Sequence, residues 1–235
     1  MNIKIFADGA NIDEILELNK NDLIKGFTTN PSLMRASGIT NYMDFAVTLA
    51  SLIKDKPISL EVFADGFDEI LRQARVLSQL GDNVYVKIPI TNTLGNSTSH
   101  IIRVLTNEGI KVNITAIMTS DQVKHIIEYT NPEVPCYISV FAGRIANTGI
   151  DPQPIMKQCV KDIPYFSLAE LIWASPRELL NIYHAEEIGC HIITVTNSIL
   201  NNMYLIGKDL EEYSLDTVKM FYNDAEASGY VIPSE

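Results

Sequence analysis

Val84-Tyr85-Val86-Lys87-Ile88-Pro89-Ile90 reads as a buried β-strand that carries a single cation. β-branched and aromatic residues fill the run without polar alternation, which marks a strand covered on both faces, as in a parallel sheet. A lysine there requires a cause, because burying an unpaired ammonium costs several kcal/mol or drives the group toward its neutral form. Either Lys87 snorkels from a strand end or pairs with a carboxylate, or it is a nucleophilic amine able to form a Schiff base with a ketone or aldehyde.

Similar short β-branched or aromatic runs recur on both sides of this one, at 3–8, 24–29, 58–63, 84–89, 111–117, 137–142, 170–174 and 191–196. Stretches of helical periodicity separate them, at 12–19, 40–54, 67–80, 96–108, 120–129, 152–161, 176–187 and 198–210. Alternation of this kind predicts an α/β fold of repeated βα units, a (β/α)8 TIM barrel. No G-x-G-x-x-G or P-loop motif favours an open nucleotide-binding sheet. No linker divides the 235 residues, so a single barrel domain is expected over 1–235. An amphipathic stretch at 215–227 predicts one extra helix, within a C-terminal helical extension of the same domain at 212–235.

A net charge of −11 argues against nucleic acid or an anionic membrane as partner. An anionic substrate would then need locally placed arginines. The amino-terminal residues lack a long apolar segment and nowhere do about 18 apolar residues run together, so a cytoplasmic protein is expected. Cys136, Cys159 and Cys190 stand far apart without a C-x-x-C pair, and His100, His125, His184 and His191 are scattered. Reduced, packed cysteines and no metal site are the expectation.

In such barrels chemistry sits at the carboxyl ends of the strands. Here those ends carry Asp8, then Thr28 and Asn30, Glu61, Lys87, Asn113 and Thr115, Ser139 and Phe141 followed by Arg144, and Ser175 with Arg177. Residues two apart point to the same side of a strand, so these side chains are expected to converge in one cavity. Ser175-Pro176-Arg177-Glu178 additionally reads as a helix start with a capping box. Its free N–H groups, with Arg177 and the neighbouring Arg144, would suit a phosphate monoester.

Phe6-Ala7-Asp8-Gly9-Ala10-Asn11, Gly26-Phe27-Thr28-Thr29-Asn30-Pro31-Ser32-Leu33, Val86-Lys87-Ile88-Pro89, Asn113-Ile114-Thr115, Ser139-Val140-Phe141-Ala142-Gly143-Arg144-Ile145 and Ala174-Ser175-Pro176-Arg177 resemble, in this order, the motifs of the transaldolase family, which implies a class I aldolase-like barrel. The likeness is to its short single-barrel branch, which also holds the fructose-6-phosphate aldolases, and runs from residue 3 to about 227. It implies cofactor-free transfer of a dihydroxyacetone unit between phosphorylated ketoses (sedoheptulose 7-phosphate, fructose 6-phosphate) and aldoses (glyceraldehyde 3-phosphate, erythrose 4-phosphate). By resemblance Lys87 carries the Schiff base, Asp8 moves the C4 hydroxyl proton, and Glu61 with Thr115 holds a proton-relaying water. Thr28, Asn30, Asn113 and Ser139 would bind substrate hydroxyls; Arg144, Ser175 and Arg177 would bind phosphate. Glu61 and Phe141, where the aldolases commonly carry Gln and Tyr, favour transfer over the alternative, release of free dihydroxyacetone. A non-catalytic sugar-phosphate-binding barrel is the remaining alternative. Pro176 and Trp173 depart from the family pattern near the phosphate end. The branch typically forms pentamers or decamers, so a homo-oligomer is implied.

Overall fold

Eight parallel strands close into a barrel in sequence order, β1 to β8, with β8 pairing back on β1. They are β1 (Lys4–Asp8), β2 (Ile24–Thr28), β3 (Ile58–Glu61), β4 (Val84–Pro89), β5 (Val112–Ile117), β6 (Cys136–Val140), β7 (Ala169–Trp173) and β8 (Ile192–Thr196). The helices are α1 (Ile12–Asn19), α2 (Pro31–Ala36), α3 (Tyr42–Leu52), α4 (Phe67–Ser78), α5 (Ser99–Asn107), α6 (Ser120–Ile127), α7 (Ala142–Ala146), α8 (Pro152–Asp162), α9 (Leu180–Glu187), α10 (Asn197–Leu200) and α11 (Leu210–Ser228). This computed structural model describes residues 2–233, so residues 1, 234 and 235 of the expected domain ranges lie outside it. The (β/α)8 fold expected from the alternating pattern is the fold observed.

Side-chain alternation sorts the strand interiors into levels. Phe6, Tyr85, Tyr137, Ile172, Ala174 and Ile192 form a buried cluster drawn from five strands or their ends. Phe6 needs Gly26 beside it, because a Cβ on Gly26 would stand 2.6 Å from the Phe6 ring. Two residues further along the same strands come Asp8, Lys87, Ser139 and Thr194. The polar level therefore rests on an aromatic and aliphatic floor.

Three expectations about local structure are corrected. The region 198–210 is broken rather than one helix: α10 stops at Leu200, a 3-10 turn occupies Met203–Leu205, and Gly207 takes φ 77°. Asn201 and Asn202 and a left-handed glycine are poor material for helix continuation. Secondly, α2 and α7 appear directly after β2 and β6, too short for periodicity to reveal. Thirdly, α9 begins at Leu180, not at Pro176, for reasons that belong to the site.

Contacts along the backbone divide the chain into two compact units, residues 1–199 and 200–235. The stretch read as 212–235 lies in the second, whose main element is α11. Asp209 caps that helix by accepting from the N–H groups of Glu211 and Glu212, and Gly229 ends it at φ 67°. Its Leu215, Val218, Phe221 and Tyr222 are all exposed. Among the described residues no helix is long and apolar enough to cross a membrane.

Candidate active site

Strand register alone brings the central groups together. Glu61 of β3 pairs with Lys87 of β4, and Lys87 with Asn113 of β5, while Asp8 of β1 pairs with Thr28 of β2. Lys87 is 6% exposed. Its Nζ donates to the Thr29 carbonyl at 2.9 Å and stands 3.1 Å from Glu61 Oε2. The Thr29 carbonyl is itself placed by a neighbouring bond, Thr29 Oγ1 to the Ser59 carbonyl at 2.9 Å. The Glu61 end of β3 is pinned by Tyr42, whose hydroxyl donates to the Glu61 carbonyl at 2.8 Å.

Asp8 accepts from Thr28 Oγ1 at 2.9 Å and from Asn30 Nδ2 at 3.4 Å. Burial raises its pKa above the ordinary carboxylate value; Lys87, Thr28 and Asn30 oppose that rise and the Glu61 charge adds to it. Asn30 also caps α2 by accepting from the Leu33 N–H, so the loop after β2 and the amide on Asp8 are fixed by one side chain. Across the barrel, Ser139 donates to Asn113 Oδ1 at 2.7 Å and Asn113 donates to Ser59 Oγ at 2.9 Å. Thr115 Oγ1 is buried and has no hydrogen-bond partner among the described residues.

Most of these groups line one cavity of about 370 Å³, with Asp8, Thr28, Asn30, Glu61, Lys87, Thr115, Ser139, Phe141, Arg144, Ser175 and Arg177 in its wall. Asn113 is the exception. It is fully buried, with its amide engaged on both sides by Ser59 and Ser139, so it positions Ser139 rather than facing the cavity. Trp173 is buried outside this wall, whereas Pro176 belongs to it.

The helix-start reading of Ser175 to Glu178 is overturned. Ser175 takes φ 60°, a left-handed conformation that an N-cap does not have, and α9 starts a turn later at Leu180 with no side-chain cap. A long-range contact sets this: a Cβ on Gly143 would sit 1.6 Å from the Ser175 carbonyl oxygen, so only glycine lets α7 and the end of β7 approach so closely. The N–H groups of Arg177 and Glu178 are taken by Asn181 Oδ1, at 2.8 and 3.4 Å, and do not form a free anion site. Arginine side chains remain. Arg177 is oriented by Nε donation to Asn147 Oδ1 at 3.0 Å, and the Arg144 guanidinium lies 5.3 Å from the centre of the Phe141 ring.

Ser59, Asn147 and Thr194 escape a reading based on strand-end motifs, and so does Ala116. Ala116 has φ 63° at an irregularity in the β5–β6 register and also lines the cavity. Left-handed backbone at a residue other than glycine costs about 1–3 kcal/mol and gathers at functional sites. Ser175 and Ala116 are the described residues of that kind, and both line this cavity. Elsewhere Cys136, Cys159 and Cys190 are free and buried, with thiols pushed up to about 12 by burial. Among the described residues no group of three His, Cys, Asp or Glu side chains is arranged to hold a metal ion.

Fold and cavity together define a class: a (β/α)8 barrel with a buried lysine paired to Glu61, and Asp8 in the same cavity, at the carboxyl ends of its strands. Residues 5–231 match the Transaldolase/Fructose-6-phosphate aldolase family, and the chain belongs to it. A probable transaldolase of Thermoanaerobacter sp. (strain X514) is 33% identical over 202 residues, covering 86% of this chain and 89% of that protein. A probable transaldolase of Desulforapulum autotrophicum is 31% identical over 221 residues, covering 92% and 98%. Among solved structures, a putative dihydrodipicolinate synthase family protein from Coccidioides immitis superposes with a TM-score of 0.60 at 12% identity, covering 99% of this chain and 81% of that one. That last likeness is one of fold.

Proposed function

We propose that this chain is a transaldolase that carries a dihydroxyacetone unit on Lys87 between phosphorylated sugars. The observation that supports it most directly is the burial of Lys87 within 3.1 Å of Glu61, in a cavity that also holds Asp8 and no second lysine. Glu61 accepts a proton from the ammonium, and the free amine attacks the C2 carbonyl of the ketose phosphate. Loss of water leaves an iminium. Asp8 then takes the C4 hydroxyl proton, the C3–C4 bond breaks, and the aldose phosphate departs, leaving an enamine on Lys87. Attack of the enamine on an acceptor aldehyde reverses these steps, with Asp8 returning the proton. A carboxylate whose pKa is raised by burial suits both directions.

Thr115 Oγ1, buried without a partner, supports a role in binding the water lost and regained at the iminium. Arg144 and Arg177 would hold the phosphate at the cavity rim. Phe141 is the basis for favouring transfer: an apolar ring in the cavity wall offers no proton to the enamine, which then persists until an aldehyde arrives. The test is reduction with borohydride in the presence of fructose 6-phosphate, followed by mass spectrometry. A stable adduct on Lys87, with little free dihydroxyacetone formed when no acceptor is added, is the expected result. Rapid release of dihydroxyacetone would make the chain an aldolase, and no adduct would leave a binding barrel.

A further inference from the structure

Thr194 stands on β8, outside every motif that marks the site in sequence, yet it is buried and borders the cavity. Its Oγ1 lies 2.6 Å from Thr28 Oγ1, and Thr28 Oγ1 lies 2.9 Å from Asp8 Oδ1. These three oxygens form a row. We propose that Thr194 is a positioning residue for the proton chemistry of Asp8, acting through Thr28. The inference rests on the transaldolase reading given above.

The row is read from the donor inventory of its members. Asp8 Oδ2 faces the Asn30 amide nitrogen, which can only donate. Asp8 Oδ1 faces a hydroxyl, which can donate or accept. When Asp8 is ionised, the one proton of Thr28 points to Oδ1, and Thr194 donates to Thr28. When Asp8 holds the proton on the Oδ1 lone pair that faces Thr28, Thr28 becomes its acceptor. Thr28 then turns its own proton toward Thr194, whose hydroxyl proton turns into the cavity that Thr194 borders. Both hydroxyls rotate and no proton leaves its oxygen. With a residue at 194 that cannot accept, the Thr28 proton would be buried without a partner each time Asp8 is protonated, and an orphaned buried donor is costly. The charged groups facing Asp8 are Lys87 and Glu61, which both states share.

Thr194→Val keeps the shape of the side chain and removes the hydroxyl, whereas Thr194→Ser keeps the hydroxyl and removes the methyl. In Thr194→Val, kcat is expected to fall about tenfold or more, the loss that follows from orphaning one buried donor. Borohydride trapping of the Lys87 adduct should stay at the wild-type extent, because carbinolamine and iminium formation do not call on this row. The acid limb of the kcat profile should move to lower pH, since the protonated form of Asp8 is the one that suffers. Thr194→Ser should restore both. In a double-mutant cycle, Thr28→Val/Thr194→Val should be no slower than Thr28→Val alone, because Thr194 acts only through Thr28.

The proposal is overturned if Thr194→Ser is as slow as Thr194→Val, if the two losses are additive, or if Thr194→Val turns over with an unchanged pH profile. If Thr194→Val does not fold, Thr194→Ala carries the same comparison against Thr194→Ser. Absence of any adduct in the unmodified chain would instead strike the transaldolase reading itself, so the two failures are distinct.

Discussion

The two mouths of the barrel are made by the same strands and differ by one step of side-chain alternation. At the amino-terminal mouth a cavity of about 540 Å³ opens over Phe6, Tyr85 and Tyr137, with Lys4, Lys25, Lys54, Lys111, Asp55 and Asp82 in its wall. The carboxyl-terminal cavity is smaller, about 370 Å³. Volume therefore does not mark the chemistry. The lysines tell the two ends apart. Lys4 pairs with Glu170 with half its side chain exposed, and Lys111 donates to the Asp82 carbonyl beside the Tyr85 ring. Such ammonium groups stay in contact with water. Lys87, two residues beyond Tyr85, is enclosed, faces Glu61 and stands in the field of Asp8. Enclosure with convergent polar partners, rather than size or number of cations, separates a site from a solvated rim.

Removing one lysine from each mouth would break that comparison most severely. Lys87→Ala is expected to lower kcat/KM by ~10⁴-fold or more, the scale of losing a covalent nucleophile. Lys111→Ala should leave kcat/KM within about twofold, as a half-buried cation at the opposite mouth of the barrel warrants. Steady-state rates with fructose 6-phosphate and erythrose 4-phosphate measure both. Comparable losses in the two variants would mean that the ends of the barrel are not functionally distinct.

Asp8→Asn comes next, with an expected fall of ~10²–10⁴ in kcat, the range for removing a positioned acid–base group. Stability should move the other way. Burial raises the folded-state pKa of Asp8, so between the unfolded carboxylate value and that raised value the folded chain binds more protons than the unfolded one. Stability then falls as pH rises through this window, because ionising the enclosed carboxylate is a net cost to the fold. Asp8→Asn should therefore melt above the parent chain near neutrality, with a gain that shrinks as pH drops toward 3.8, the ordinary carboxylate value. Calorimetry across pH checks it. A lower melting temperature for the amide at neutral pH would show that Asp8 is held by its bonds more firmly than burial penalises it.

Legibility in the sequence follows the same division of the barrel. The strand interiors were readable because a two-residue period and β-branched composition are local properties, and they carry Asp8, Glu61, Lys87 and Ser139 to their places. The same period puts Asn113 on β5 two residues before Thr115, but its burial between Ser59 and Ser139 depends on neighbours in two other strands. What failed lies just past the strand ends. A serine, a proline and a glutamate at the right spacing imitate a capping box, but the backbone at Ser175 answers to Gly143, 32 positions earlier in the chain. Ala116 offers no signal at all, since alanine does not favour the left-handed region it occupies. Thr194 was invisible for a third reason: threonine belongs in any buried strand, and only its distance to Thr28 gives it meaning.

Arg177 sharpens the comparison at its smallest expected effect, because it is an exposed cation like those of the other mouth yet is held in place. Asn147 fixes its Nε and Asn181 takes its backbone N–H, so the guanidinium is aimed before any anion arrives. Prior orientation reduces the rotamer entropy lost on binding. Two charge-assisted bonds of the kind an arginine makes to phosphate are worth about 1.5–3 kcal/mol each in partly desolvated settings, and exposure reduces this. Arg177→Ala is therefore expected to lower kcat/KM for fructose 6-phosphate by about 10- to 100-fold, mostly through KM. The same variant should handle unphosphorylated fructose as the parent chain does. Equal losses on both sugars would mean that Arg177 holds the loop after β7 rather than the phosphate, and a loss reproduced by Asn147→Ala would place part of the effect in the orientation of the side chain.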